Sequence, residues 1–306
     1  MIQFQNQSQI DLKKYDSCVQ IDQSSLPYAH SWYLNAVCEQ WDCLVLDDYQ
    51  AVWPLPFRKK GGLKYYFRPF GIQQLGIYSR VALNDEIIAA FISEMAREVK
   101  FADIYLNEGQ TLLSSAKSDW ILQEQRNQKL TISGSYQGIY ENFSQNLKRK
   151  LKKTAKANLE LFEHDGPQVI LDLFKEHKGQ ELKLNPTFYR DIKQLLFLMM
   201  HKGLAKVYTV YGGPNQLLAG AVFIHYNKRS IFLFSANSEL GKDLNAMAYL
   251  INEYLIYHSG KFDYLDFEGS NLEGLARFYS SFGAEDYGYS RLYLNRLPWP
   301  LNRFRK

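Results

Sequence analysis

Lys100-Phe101-Ala102-Asp103-Ile104-Tyr105-Leu106-Asn107-Glu108-Gly109 and Lys261-Phe262-Asp263-Tyr264-Leu265-Asp266-Phe267-Glu268-Gly269 follow one pattern about 160 residues apart. Each alternates apolar and polar side chains and stops at glycine, which predicts a short strand ending in a turn. The residues before them repeat too. Ile87, Ile88, Phe91, Ile92, Met95 and Val99 recur every three to four positions between Asn84 and Val99, as do Met247, Leu250, Ile251, Leu255 and Ile256 between Leu244 and His258. That spacing predicts an amphipathic helix in each place.

Further upstream, Pro27 opens the stretch Tyr28 to Glu39 and Pro186 opens Thr187 to His201. Proline suits the first turn of a helix, where its missing N–H costs nothing. A hairpin signature follows each. Asp42–Leu46 and Gln50–Phe57 flank Asp47-Asp48-Tyr49, and Lys206–Tyr211 and Leu217–Tyr226 flank Gly212-Gly213-Pro214-Asn215, with Ser230–Ala236 as the next strand. Each half therefore reads helix, hairpin, strand, helix, strand and a closing strand. Chance likeness is the alternative, and four matching elements at one offset weigh against it. The expectation is an α/β chain of two tandem units, each a mixed, mainly antiparallel sheet flanked by helices. The division is placed near Leu130, between Ile121–Arg126 and a strand-like Thr131–Tyr140, giving domains 1–130 and 131–306.

Bulk properties narrow the classes. The length of 306 residues suits two domains. The 22 tyrosines fit sheets with large, partly wet faces. A net charge of +4 is too mild to name a partner, so any anion-binding argument rests on where cations cluster. No signal-peptide pattern opens the chain and no apolar run nears the ~20 residues of a membrane span, so a cytoplasmic location is expected. Cys18, Cys38 and Cys43 lack CxxC spacing and read as reduced thiols, and the six histidines show no metal-binding spacing.

Two stretches concentrate charge. Lys148-Arg149-Lys150-Leu151-Lys152-Lys153-Thr154-Ala155-Lys156 carries six cations, and Leu147, Leu151, Ala155, Leu159 and Phe162 predict one helix through all of it. Such a face is either merely solvated or relieved by the phosphates of a coenzyme, a nucleotide-linked substrate or tRNA; Lys148, Arg149, Lys152 and Lys153 are its anion-binding candidates. Arg296, Arg303, Arg305 and Lys306 surround Pro298-Trp299-Pro300, as an anion-lining tail or a frayed basic end.

Asp263 to Gly283 is the most specific segment. Asp266-Phe267-Glu268-Gly269-Ser270-Asn271 ends a strand in a turn, and Leu272–Phe282 reads as a helix with Ser270 or Asn271 as its N-cap. Asn271 through Gly283 resembles the stretch that closes the acyl site of GNAT-type N-acyltransferases. Asp266-Phe267-x-Gly269 with Arg277-Phe278-x-x-x-Phe282-Gly283 is similar to the Fem family of peptidoglycan aminoacyltransferases, tandem GNAT-like proteins that also carry a basic helix of the type Lys148-Arg149-x-x-x-Lys153-x-Ala155. Trp53-Pro54-Leu55-Pro56 and Pro69-Phe70-Gly71 look like the N-terminal half of acetyltransferase-like relatives. Two departures stand out. Tyr279 replaces the lysine usual in the Fem motif, and the glycine-rich pyrophosphate loop of GNAT enzymes is absent, with only Gly241 between Ala236 and Asn245.

The resemblance implies acyl transfer to an amine, with Tyr279 as acid toward the leaving group and Glu268 or Asp266 as base or amine ligand, the two carboxylates sharing one strand face. A packed aromatic for Tyr279 and a turn acceptor for Asp266 are the plain alternatives. By the same analogy Phe234, Ser235, Ala236 and Asn237 meet the donor's arm, Gly241 and Asn245 its phosphates, and Asn271 also borders the donor. Asn107 stands in the N-terminal copy where Asp266 stands in the other, so that copy is expected to shape the acceptor cleft. Three readings stay open: an N-acyltransferase using acyl-coenzyme A as cosubstrate, a Fem-like enzyme using aminoacyl-tRNA and a cell-wall precursor, and a non-catalytic ligand-binding module. None invokes a metal.

Overall fold

The computed structural model describes residues 1–22, 26–111, 120–163, 165–179, 182, 184 and 186–300. Arg303, Arg305 and Lys306 of the basic tail lie outside the described residues. The chain forms two compact units: Met1–Arg126 with the chain from Gly288 onward, and Asn127–Tyr287.

Unit 1 contains β1 (Ile2–Gln5), α1 (Leu12–Ile21), α2 (Ser31–Val37), β2 (Trp41–Leu46), β3 (Ala51–Lys60), β4 (Leu63–Phe67), β5 (Tyr78–Ser79), α3 (Asp85–Glu98) and β6 (Phe101–Tyr105), then the first residues of β7 (Trp120–Thr131). Its strands run β1-β2-β3-β4-β6-β13, where β13 is Glu285–Asn295, and β5 pairs with β3. β6 lies parallel to β4 and antiparallel to β13. Asn84 caps α3 by accepting the Ile87 N–H at 2.8 Å, with Asp85 and Glu86 at the positive end and Arg97 at the negative end. The apolar stripe of α3 (Ile88, Phe91, Ile92, Met95) packs with Trp53, Tyr66, Ala102 and Leu292 into the core of this unit.

Unit 2 takes the end of β7 and then α4 (Tyr136–Glu141), α5 (Gln145–Thr154), β8 (Glu160–Phe162), α6 (Pro167–Phe174), α7 (Pro186–His201), β9 (Ala205–Tyr211), β10 (Leu217–Tyr226), β11 (Arg229–Asn237), α8 (Glu239–Asp243), α9 (Ala246–His258), β12 (Tyr264–Asp266) and α10 (Glu273–Ser280). Its strand order is β7-β12-β11-β10-β9-β8. β12 is parallel to β11 and antiparallel to Lys129–Thr131 of β7. Its core joins α9 (Leu250, Ile251, Tyr254, Leu255) to Tyr208, Phe223, Phe232 and Phe267.

Both units thus run an antiparallel meander, a helix, and a strand parallel to the third meander strand. The closing strands differ from the sequence expectation. β6 is completed by residues from the far end of the chain, and β12 by residues that precede unit 2's helices. Hence the units divide at 126/127 and 287/288, where a cut at 130/131 was expected. Thr131–Tyr140 is not a strand: β7 stops at Thr131, and α4 starts after its Ser135 cap. The stretch after Pro27 begins as a 3-10 turn, Pro27–Ala29, before α2. The basic helix ends at Thr154, with Asn158 at φ 47°, and Leu159 and Phe162 continue as an extended segment.

Candidate functional site

β11 and β12 run in parallel for three registered pairs only: Arg229↔Tyr264, Ser230↔Leu265 and Ile231↔Asp266. Asp266 stops β12. Its Oδ1 accepts the Glu268 N–H at 3.2 Å, and Glu268 and Gly269 both take positive φ (46° and 61°), a local turn that leads the chain away. β11 continues to Asn237, so from Phe232 onward its β12-side edge has no paired strand among the described residues. At the same point the register with β10 passes from Phe232↔Phe223 to Phe234↔Val222, which makes Leu233 the extra residue of a bulge. A bulge adds twist and re-aims side chains. Phe232 joins the α9 core, whereas Phe234 meets Phe174 of α6 at 4.9 Å.

Tyr279 sits at this opening. Its ring stacks on Phe267 (4.4 Å, 11°) and touches Phe232 at 6.2 Å, the first residues beyond the last registered pair. At 5% exposure, burial pushes its hydroxyl pKa well up, and the Glu268 carboxylate adds to the rise. Burial thus holds the Tyr279 hydroxyl in its neutral form and makes it a weaker acid than a free phenol, unless a bound donor changes its surroundings. Glu268 is half-buried on the turn, so the shared strand face expected for Asp266 and Glu268 is not formed.

Asp266 is 2% exposed and fully engaged. It accepts Asn127 Nδ2 at 2.8 Å, Tyr287 Oη at 2.9 Å and Arg229 Nη1 at 3.2 Å besides the Glu268 N–H. Burying a carboxylate is tolerable only with such partners. This geometry assigns Asp266 to anchoring the turn, with no lone pair turned to an incoming amine. Asn127, Arg229 and Tyr287 were not singled out from the sequence, because they come from β7, β11 and β13 and share no local pattern. Burial, then the Asp266 charge, pushes the Tyr287 pKa far up.

The expected phosphate residues are arranged otherwise. The Gly241 N–H is donated to Ser238 Oγ at 2.9 Å. A Cβ on Gly241 would meet Leu218 O at 2.2 Å, so glycine is there for close packing against β10. Glu239 occupies the first turn of α8, and Asn245 (φ 56°) links α8 to α9 without a side-chain cap. Ala236 is buried, Ser235 and Asn237 are half-buried along the open edge, and Asn271 is exposed ahead of α10. The N-cap of α10 is Leu272, without a side-chain cap bond; Ser270 is buried beside Asn127.

α5 presents the cations as its sequence implies. Leu147 is buried and Ser144 caps the helix. Lys148 donates to Glu141 O at 2.9 Å and lies over the Tyr140 ring. Arg149, Lys150, Lys152, Lys153 and Lys156 are exposed, with no carboxylate partner among the described residues.

Unit 1 has a matching parallel pair, Tyr66↔Ala102 and Phe67↔Asp103, but its own chain fills the space beyond it. The Leu75 N–H donates to Tyr105 O (2.8 Å), the Gly76 N–H to Asn107 Oδ1 (2.9 Å), the Ile77 N–H to Gln110 Oε1 (2.9 Å) and the Glu108 N–H to Gln74 Oε1 (2.7 Å). Gly76 has no room for a Cβ, which would lie 2.2 Å from Gln110 Oε1. The open edge is a property of unit 2.

No family model matches the chain, and no curated protein sequence matches it. Solved structures do. FemX is similar at TM-score 0.63 with 13% identity, over 97% of this chain and 98% of that one. L-PGS from Bacillus licheniformis gives 0.52 with 10% identity, over 85% and 86%. A GNAT-family acetyltransferase from Colwellia psychrerythraea gives 0.53 with 9% identity, over 96% and 99%. The chain has the Fem-like, GNAT-like acyltransferase fold. Among the described residues no helix is long and apolar enough to cross a membrane, and no cluster of three His, Cys, Asp or Glu side chains is placed to hold a metal.

Proposed function

We propose that this protein transfers an acyl group to an amine, with the donor's acyl arm lying along the unpaired edge of β11 in unit 2. The observation that carries this reading is Tyr279 standing on Phe232 and Phe267, where β11 and β12 part. Backbone N–H groups on the β11 edge, which has no paired strand beyond Ile231 among the described residues, would suit a tetrahedral oxyanion. The amine nitrogen forms a bond to the carbonyl carbon, and the bond to the leaving sulfur or oxygen breaks. Tyr279 gives that atom its proton and regains one released from the amine. Asp266 holds the turn that keeps Phe267 under Tyr279.

Acyl-coenzyme A as cosubstrate agrees with a tyrosine placed to protonate a thiolate. A second reading, an aminoacyl-tRNA donor with a cell-wall-precursor amine as acceptor, is favoured by two features. The Gly241 N–H is already bonded to Ser238 Oγ, and α5 offers cations to a phosphate backbone. Either reading places the protein in the cytoplasm.

Thermal-shift and transfer assays with acetyl-coenzyme A and with charged tRNA separate the donors. Tyr279→Phe is expected to lower turnover by about two to four decades while leaving donor affinity in place. Lys152→Glu with Lys153→Glu is expected to weaken the tRNA donor far more than the coenzyme. Donor binding with no transfer to any amine would refute catalysis, and undiminished turnover in Tyr279→Phe would refute the role of the tyrosine.

A further inference from the structure

Side chains alternate across a strand, so each strand of unit 1 that packs one row on α3 turns the next row away from it. Tyr66, Ala102, Ile104, Leu292 and Leu294 make up the row in the α3 core. The registers fix the opposite row. Arg58 stands across from Tyr65, Phe67 from Asp103, Asp103 from Tyr293, and Tyr105 from Arg291. β3, β4, β6 and β13 thus share one face of aromatic rings and cations, all of it within unit 1.

The rings are held firmly and yet reach water. Phe101 is buried between Tyr65 and Tyr293, with ring contacts near edge-to-face at 6.0 Å (77°) and 5.5 Å (88°). Tyr65, Phe67, Tyr105 and Tyr293 are only half-buried. Arg291 is a fixed spacer between two of them. Its Nε and Nη2 donate to the two Asp103 carboxylate oxygens, each at 2.7 Å, and its Nη1 donates to Gln123 Oε1 at 2.8 Å. Its guanidinium carbon lies 5.7 Å from the Tyr105 ring centroid and 5.6 Å from that of Tyr293. The same pairing offsets the charge of Asp103, the one acid in these rows of β4, β6 and unit 1's part of β13.

The remaining cations have no such counter-ion. Arg58 lies over Phe67 at 4.4 Å and Arg68 over Tyr105 at 4.0 Å, and both are exposed. Lys60 is exposed on the same row of β3 as Arg58. None of the three has a carboxylate partner among the described residues; Arg68 Nη1 donates only to Gln73 O, at 3.4 Å. The face is therefore complementary to a ligand that is both anionic and planar. Bases stack on aromatic rings and on guanidinium planes alike, and a sheet with aromatics on adjacent strands holds two or three of them. Cations beside such rings track the phosphates of a single strand. A duplex hides its bases and has no use for the rings.

We propose that this face of unit 1 binds single-stranded nucleic acid, with bases on the half-buried rings and phosphates on Arg58, Lys60 and Arg68. The site is separate from the donor edge of unit 2, and the proposal goes beyond the acyl-transfer reading.

Fluorescence anisotropy of the full chain with labelled single-stranded RNA and DNA ten-mers, and with the duplex of the same sequence, tests this at several salt concentrations. The expected result is saturable binding of a single strand, with the duplex at least about tenfold weaker; the RNA and DNA arms identify the source. Arg58→Gln with Lys60→Gln should weaken binding and reduce the slope of log affinity against log salt by about 1.4. Tyr65→Leu with Phe67→Leu should weaken it about tenfold or more and leave that slope in place, because stacking releases no counter-ion. Melting curves show whether each variant is folded, and the exposed Arg58 and Lys60 keep the test decisive if the aromatic variant is not. Absence of saturable single-strand binding, equal affinity for the duplex, or undiminished affinity in folded face variants would overturn the proposal. So would loss of binding in the α5 pair Lys152→Glu and Lys153→Glu with the face variants unaffected. The probes carry no acyl group, so this binding and the acyl-transfer reading fail separately.

Discussion

Asp266→Ala takes a carboxylate acceptor away from three side chains at once. Asn127 is fully buried, Tyr287 is half-buried, and the Arg229 guanidinium keeps its charge with its carboxylate gone. Breaking one side of a buried ion pair costs about 3–5 kcal/mol. Arg229, partly open to water, places the loss toward the lower figure. For a unit of this size each kcal/mol shifts the midpoint by about 2–4 °C, so a fall of about 10 °C is expected. Urea unfolding followed by circular dichroism, with Arg229→Met/Asp266→Leu as the paired replacement, measures it. The paired variant should recover most of the loss, since exchanging a buried pair for apolar groups is often neutral. A loss below about 1 kcal/mol for Asp266→Ala would refute the anchoring role. Unchanged stability with abolished transfer would instead make Asp266 the base.

Gly241→Ala should destabilise unit 2 by about 1–3 kcal/mol, because the new Cβ meets the backbone oxygen of Leu218 and neither side can swing away; a melting curve identical to wild type would contradict this. Acid should loosen the same unit. His225 and His258 are both pushed down to about 4, chiefly by burial, in a network with Tyr254, Ser230 and Tyr208. Between about pH 6.5 and 4 the unfolded chain binds protons that the folded histidines refuse, so stability is complete above that window and falls as pH drops through it. A melting temperature flat from pH 7 to about 4.5 would be the contrary result. In unit 1, Gly76→Ala should be destabilising by a similar ~1–3 kcal/mol, since a methyl there displaces the Gln110 carboxamide and the Asn107 backbone; urea titration reads it, and no change would show that the Gln74–Ile77 segment is loosely held.

Local periodicity and turn chemistry made much of the fold legible. α3 starts one residue after its Asn84 cap, α7 starts at Pro186, and β10 spans Leu217–Tyr226, as their patterns imply. The helix that carries Tyr279 was legible from the spacing of its apolar residues. β7 was obscured, since Trp120–Thr131 is polar on both faces for most of its length and shows no alternation. The basic helix was read too long because its leucine stripe runs on into β8, where an extended backbone buries Leu159 just as well.

The residues themselves determined the α/β class, the recurring helix–strand pattern and the cationic face of α5, because each depends on neighbours within a few positions. Tertiary structure alone decided which strand closes each unit, that Asp266 is saturated by Asn127, Arg229 and Tyr287, and that unit 1 fills the opening that unit 2 leaves free. Those outcomes turn on pairings between residues far apart in the chain, as in Asp103–Arg291, 188 positions apart, and no local pattern of charge or hydrophobicity encodes a partner at that distance.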